Sequence, residues 1–540
     1  MNNLKLNRVT IVLRGTAIFF DRWHWILLAL AAPFLLFPSP QRSPAMLVVP
    51  ASWLLHWLVV SWEQRDASRQ VNTAGHGERS AFRPPPSALP LTPLNSALLL
   101  LALMVLVSLW ATYDIVYSLP KISGMVLGIG IFFAVAREAG RPRGQLLSLL
   151  AFLGIGLGIA ALGVIGTSWA SSKITFLEPI LARLPTLIQG LQGAETGLHP
   201  NEVAGALIWV LPLMITISAA LFFLPRYQHR PAFGAGKNED ARAQRKDWRE
   251  KMRGWRLVGV TILCLAATFF VAAVFLLSQS RGGYVGLALT LPVLILIALP
   301  PRWRRYSLAL LALLAIVLGV LLASRGEAVR AWLTGSDLAS DPALSLNTLE
   351  GRLEIWSRAI YGIQDFPFTG MGMNAFRKVL PALYPLFTIS SEFDIAHAHN
   401  EFLQAALDLG IPGLAAFLAL YIGAFWMLAD VWKAARLLPL NTGHCLLITA
   451  KSPKGDYCSL ITDHCSLITR SLTLGLGGGL LAHLLYGLTD AVALGAKPGV
   501  LFWMLLGLIA GLYRQAQEHW VVVDGSIPAM GAEKMDDAND

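Results

Sequence analysis

The sequence predicts an all-α polytopic membrane protein of about twelve transmembrane helices, with a long extracytoplasmic loop between spans 9 and 10. Three observations predict it. The 540 residues are 55% hydrophobic and only 14% charged, where an ordinary soluble domain carries about 25% charged residues. Apolar runs recur from Trp25 to Tyr513 rather than forming one tail, and a crossing helix needs roughly 20 such residues. Basic residues also segregate between the segments that separate those runs.

Taken in order, the predicted spans are 24–38, 44–61, 95–112, 121–136, 145–168, 202–224, 257–278, 283–300, 306–323, 406–430, 472–491 and 498–513. The first run follows Lys5, Arg8, Arg14 and Arg22 and lacks a small-residue cleavage site, so it reads as a retained span. With the N-terminus inside, 31 of the 43 Lys and Arg fall on the inner side; six of the remaining twelve lie in one loop, 324–405. A translocated loop of that length is largely exempt from the positive-inside rule. Both termini are therefore expected to be cytoplasmic. The net charge of +10 reads as topology rather than as a nucleic-acid footprint.

The expected divisions are a membrane domain over 1–323, an extracytoplasmic loop with short helices over 324–405, a second membrane domain over 406–513 and a cytoplasmic tail over 514–540. In the loop, Asn347 to Ile363 is helix-like, with Leu349, Leu353 and Ile360 on an apolar face. Ile174 to Leu191 reads as amphipathic and surface-lying. Two inner segments look like accretions: the Pro/Arg-rich linker 63–93, and an insertion at about 433–471 that repeats HCLLIT, YCSLIT and HCSLIT. The His and Cys there match no standard zinc spacing, and no structural disulfide is expected.

The chemically capable residues all fall toward the outer face under this topology. The densest cluster runs from His397 through His399, Asn400, Glu401 and Gln404 to Asp408, Gly410 and Gly413. A neutral imidazole at His399 could take a proton from an attacking hydroxyl; the plainer alternative is an interfacial His that satisfies backbone groups. As metal ligands, His397 and His399 are poorly spaced, because side chains two residues apart diverge on a strand or a helix. No metal and no cofactor is expected.

Arg281, in Ser280-Arg281-Gly282, sits where two spans meet with almost no loop. An arginine at such depth needs a partner, and its fork suits phosphate oxygens, although an interface anchor is the alternative. Arg352 could be a second phosphate clamp, four residues before Trp356. Asp365 opens Asp-Phe-Pro-Phe-Thr-Gly-Met-Gly, whose Gly370 and Gly372 fit a tight turn. His199, Asn201 and Glu202 open the sixth span, as substrate contacts or as helix caps.

These pieces, in this order, resemble the O-antigen ligase and polymerase superfamily of membrane glycan transferases. The family's motif of His, then Asn, Ser or Gln, nine residues and Gly-x-x-Gly is matched by His399, Asn400, Gly410 and Gly413. The segments 280–282, 352–356 and 365–372 also look like the family pattern, and His199-Pro200-Asn201 adds a weaker match. The resemblance implies a multi-pass inner-membrane enzyme with an extracytoplasmic site. Its donor would be a glycan on undecaprenyl pyrophosphate, its acceptor a glycan, lipid or protein hydroxyl, and its surroundings membrane lipids, with no nucleic acid. It further implies a metal-independent, inverting transfer in which His399 is catalytic and Arg281, Arg352, Asn400, Asp365, His199 and Asn201 bind substrate. The ligase reading leads; polysaccharide polymerase, protein O-oligosaccharyltransferase and, from another class, a lipid-linked glycan transporter are the alternatives.

Overall fold

The structure is a computed structural model, describing residues 90–169, 177–188, 197–227, 240–324, 349–387, 389, 395–437, 465–492 and 494–524. The first two expected spans, residues 63–89 of the linker, the first two repeats and the tail beyond 524 lie outside these residues, while the third repeat enters α12 from Cys465. Every regular element among the described residues is helical. They are α1 (Asn95–Ala111), α2 (Ile115–Glu138), α3 (Pro142–Gly166), the single turn α4 (Glu178–Leu181), α5 (Pro200–Tyr227), α6 (Asp240–Leu277) and α7 (Arg281–Ala298). After them come α8 (Pro301–Ser324), α9 (Leu349–Asp365), α10 (Phe376–Leu383), α11 (Glu401–Leu437), α12 (Cys465–Tyr486) and α13 (Val500–Asp524). Among the described residues, seven helices are long and apolar enough to cross a membrane: α2, α3, α5, α6, α7, α11 and α13, whose candidate span is Lys497–Gln517.

Composition explains why these helices belong in lipid. Their outward faces are as apolar as their buried ones: Phe269 is 77% exposed, Leu263 69% and Ile262 61% on α6 alone. Such a surface would be costly in water and is natural in hydrocarbon, where an α-helix also satisfies its own backbone. The inner members α5, α11, α12 and α13 bury Trp209, Phe417, Tyr486 and Trp503 in one core. Small residues allow the close packing. A Cβ at Gly479 would stand 2.4 Å from the Trp209 carbonyl of α5.

The helices meet at two distinct ends. At one, Arg514 and Gln515 of α13 donate to the carbonyls of Ala136 and Ala139, and Arg470 to that of Ala435. At the other gather the C-terminus of α1, the N-termini of α2, α5, α7 and α11, and the C-terminus of α12. Here Ser108 Oγ accepts from Met373 N–H, and Glu401 N–H donates to Gly487 O. The motif residues collect at this second end.

Three expectations need correction. The run read as 406–430 belongs to a helix, α11, that begins at Glu401. His399 lies outside that helix. The eleventh span ends at Tyr486 rather than 491, leaving Asp490 just past a turn over 487–489. α9 forms as expected, but Leu353 and Ile360 are half-exposed, while Gly351, Ile355, Ala359 and Gly362 make the buried face. The apolar pattern there was counted on the wrong stripe, because glycine and alanine carry the close contact.

Two distant glycine motifs turn out to be partners. Gly410 has φ +70° and breaks α11, with Pro412 just beyond. The turn Pro367–Gly372 closes over the break: Ile411 N–H donates to Pro367 O, and Met371 N–H to Leu407 O. A Cβ at Gly410 would lie 2.5 Å from Phe368 O, and one at Gly370, itself at φ +68°, 2.6 Å from Leu407 O. The Asp-x-Pro-x-x-Gly-x-Gly turn thus supplies the backbone partners that a broken membrane helix needs.

Candidate functional site

A pocket opens at this end of the bundle, with about 320 Å³ of space including its mouth, lined by Asn201, Ser280, Arg281, Gly282, Arg352, Tyr486, Thr489 and Asp490. Each wall follows from local structure. Ser280 caps α7 by accepting from Gly283 N–H, which sets Arg281 at the first position of the helix. Gly282 lets that turn approach the segment just after α12 closely, since a Cβ there would stand 2.0 Å from Thr489 Oγ1. Arg352 projects from α9, and its Nε is buried without a hydrogen-bond partner. Asn201, in the first turn of α5, is 8% exposed. The two arginines that the sequence places 71 residues apart therefore share one cavity.

The histidines stand beside it. His397 Nε2 and His399 Nδ1 each lie 3.6 Å from Asp490 Oδ1. Asp490 Oδ1 also accepts from Ala491 N–H at 2.9 Å, and the Tyr486 hydroxyl, 3.1 Å from Oδ2, is shared with Asn201 O. Burial raises the Asp490 carboxyl, but His399, His397 and Arg352 outweigh it and hold the group well below the usual carboxylate range. His397 is pushed down to about 3, by burial first and by His399 second, against the pull of Asp490. It is thus a neutral ring at any ordinary pH.

The expectation that His397 and His399 diverge is wrong. Their ring centroids are 4.4 Å apart, because the segment is neither strand nor helix and His399 sits at φ +48°. With Asp490 they form a cluster whose ligand atoms all lie within 4.8 Å, a donor set chemically suited to a transition metal. The hydrogen-bond pattern runs against that use. His397 Nδ1 accepts the His399 N–H at 3.2 Å, so a neutral His397 carries its proton on Nε2, the atom that faces Asp490. A ligating histidine needs the reverse, a lone pair toward the metal and an N–H toward the outer shell. As built, the cluster sets one nitrogen of each ring 3.6 Å from a single carboxylate oxygen, an electrostatic contact longer than a hydrogen bond, and His399 Nδ1 is buried with no hydrogen-bond partner. A proton on His399 Nδ1 leaves Nε2 with its lone pair, the form a general base requires.

The remaining expected site residues have other positions. His199 Nδ1 accepts from Asn201 N–H, and the ring stands near enough to His397 to act on it electrostatically. Asn400 caps α11: its Oδ1 accepts from Phe402 and Leu403 N–H, and its Nδ2 donates to Leu488 O. Asp365 is exposed, accepts from the Tyr384 hydroxyl and does not line the pocket. Sequence reasoning missed Asp490 and Tyr486. The signal was present, since an acid inside an apparently apolar run is expensive and points to function.

Residues 266–418, under a third of the chain, match the family model for O-antigen ligase. That stretch holds Arg281, Arg352, Asp365, His399 and Asn400, so the resemblance to the O-antigen ligase and polymerase superfamily holds over it. Asn201, Tyr486 and Asp490 come from outside it. No curated protein matches the chain.

Proposed function

We propose, with the O-antigen ligase match as premise, that the protein is a ligase-like glycosyltransferase moving a glycan from an undecaprenyl-pyrophosphate carrier to an acceptor hydroxyl on the extracytoplasmic side. The observation that carries this reading is the juxtaposition of Arg281 and Arg352 in one pocket with Asp490, beside His399. Lipid pyrophosphate is already a good leaving group, so the protein must chiefly position the reactants and stabilise developing charge. In the proposed step the acceptor oxygen attacks the anomeric carbon as its proton passes to His399 Nε2. The bond from that carbon to the pyrophosphate oxygen breaks, and the negative charge is received by the two guanidinium groups. Asp490, 3.6 Å from His399 Nδ1, balances the charge of the imidazolium that forms. A single displacement inverts the anomeric centre, and neither bond change calls on a metal.

The gathering of polar groups at one end of the bundle favours an enzyme over a transporter, whose site belongs near the midplane. Ligase, polymerase and protein-glycosylating forms share this chemistry and differ in the acceptor.

The test is release of undecaprenyl pyrophosphate by purified protein in detergent, given lipid-linked glycan and candidate acceptors with EDTA present. Acceptor-dependent release that survives EDTA and is lost in His399→Ala and Arg281→Ala is the expected result, with product size separating ligase from polymerase. Full activity in either variant, or abolition by EDTA with recovery on adding a divalent cation, refutes the mechanism. No release from any lipid-linked glycan by folded protein refutes the function.

A further inference from the structure

The first two turns of α11 carry three polar side chains almost wholly removed from solvent: Glu401 at 2% exposure, Gln404 at 3% and Asp408 at 2%. At spacings of three and four they lie along one face of the helix. Unsatisfied, such groups at a membrane helix end would cost several kcal/mol. Each is instead engaged by a different segment of the site, and two of those segments are the ones bearing His399 and Asp490.

Gln404 reaches back to the histidine loop. Its Oε1 accepts from Ala398 N–H at 2.8 Å and its Nε2 donates to Asp408 Oδ1 at 2.8 Å. The amide has only one workable orientation, because a flip would set oxygen against carboxylate and NH2 against N–H. Asp408 is fixed in turn by Lys121 Nζ of α2 at 3.1 Å and by Asn374 N–H at 3.3 Å. The other side of Ala398 is held by Trp356 of α9, whose indole N–H donates to Ala398 O at 3.0 Å. Ala398 is therefore gripped at both its N–H and its C=O, one residue before His399. A histidine in the left-handed region persists only where its surroundings over-determine it, and these bonds do so.

Glu401 performs the matching task for the carboxylate. Its two oxygens accept from Val492 N–H and Leu494 N–H, the latter at 3.0 Å, just beyond Asp490, while its own N–H donates to Gly487 O just before it. The turn that presents Asp490 is thus pinned on both sides by one residue. Glu401 and Gln404 are three residues apart on a rigid helix, a rise of about 4.5 Å.

We infer that Glu401 and Gln404 are positioning residues, which fix Asp490 and His399 against each other from a common helix turn, with the Lys121–Asp408 pair as the anchor. This rests on the proposed role of His399. It assigns to the residues between His399 and Gly410 a purpose that neither substrate contact nor packing supplies.

The test uses Gln404→Met, which keeps the length and loses both hydrogen bonds, Trp356→Phe, which keeps the ring and loses its N–H, and Glu401→Gln. Turnover and the reaction of His399 with diethyl pyrocarbonate, mapped by mass spectrometry, are measured on the full chain in detergent. Trp356→Phe and Glu401→Gln should each lower kcat about tenfold, the fold-change one buried hydrogen bond corresponds to, and Gln404→Met by more, since it loses two, with donor KM within about twofold of the parent. The Gln404→Met/Trp356→Phe pair should lose less than the product of the single losses, because both act on one residue. His399 reactivity should change severalfold in Gln404→Met. A rise in KM at constant kcat, a product of independent losses, or a kcat loss with His399 reactivity unchanged would each overturn the assignment. If the parent protein releases no pyrophosphate, the functional reading fails, while the reactivity arm, which needs no substrate, still decides whether Gln404 sets His399.

Discussion

Asp490→Asn isolates the feature that sequence reasoning missed. The substitution preserves shape but replaces one carboxylate oxygen by an NH2 group in a site where Ala491 N–H and the Tyr486 hydroxyl donate and two imidazoles stand 3.6 Å away. It also removes the charge that opposes the His399 imidazolium. Unit charges 3.6 Å apart attract by about 4.6 kcal/mol at an effective dielectric of ~20. That dielectric is appropriate because the two side chains are only 19% and 7% exposed. If the full attraction acts in the transition state, its loss slows turnover by about 2,500-fold, at 1.36 kcal/mol per tenfold. The donor should not bind more weakly. Asp490 shares its pocket with Arg281 and Arg352, and neutralising it leaves a more positive cavity for a pyrophosphate. The expected signature in the pyrophosphate-release assay is a large fall in kcat with donor KM unchanged or lowered. Retention of kcat within about tenfold, or a rise in KM at unchanged kcat, would refute the pairing and make Asp490 a substrate contact.

Two further outcomes follow from the same geometry. His397 has its folded value near 3, against 6.5 as a free residue. The unfolded chain therefore binds the extra proton between those values, and stability is fully present above about pH 6.5 and lost as pH falls toward 3. Thermal unfolding in detergent should show a midpoint that drops through this window, with the drop flattened in His397→Gln; an equal slope in both proteins would refute it. Gly410→Ala places a Cβ 2.5 Å from Phe368 O at φ +70°, a strain of about 1–3 kcal/mol before any clash. Its unfolding midpoint should fall and its activity with it, and a midpoint equal to the parent's would show that the turn Pro367–Gly372 does not clamp the α11 break.

Much of the fold was legible because hydropathy and charge are local sums. The ends of α5 and α7 lie within a few residues of the runs read from the sequence, whereas α13 starts near its run but continues eleven residues past 513, and Arg281 is found at a helix start where two spans were expected to meet. The limits failed where polar and apolar signals overlap. Asp490 looked like part of a span because Ala491, Val492 and Leu494 continue the apolar run, and Glu401 looked like loop because it is charged. Structure reverses both, since Glu401 finds two amides inside the protein while Asp490 finds two imidazoles beyond the helix end.

The sequence by itself determined that the chain belongs in a membrane and that His399, Arg281 and Arg352 share a side. It did so because alternation of spans assigns every loop a side without any knowledge of packing. Only the tertiary structure decided that Arg281 and Arg352 face one pocket, that His397 and His399 converge, and that their common partner is an aspartate 91 residues further along the chain. Convergence of the rings depends on a left-handed backbone at His399. That conformation is unfavourable for any isolated histidine and exists because Gln404 and Trp356 hold Ala398 from helices that meet only when the bundle closes.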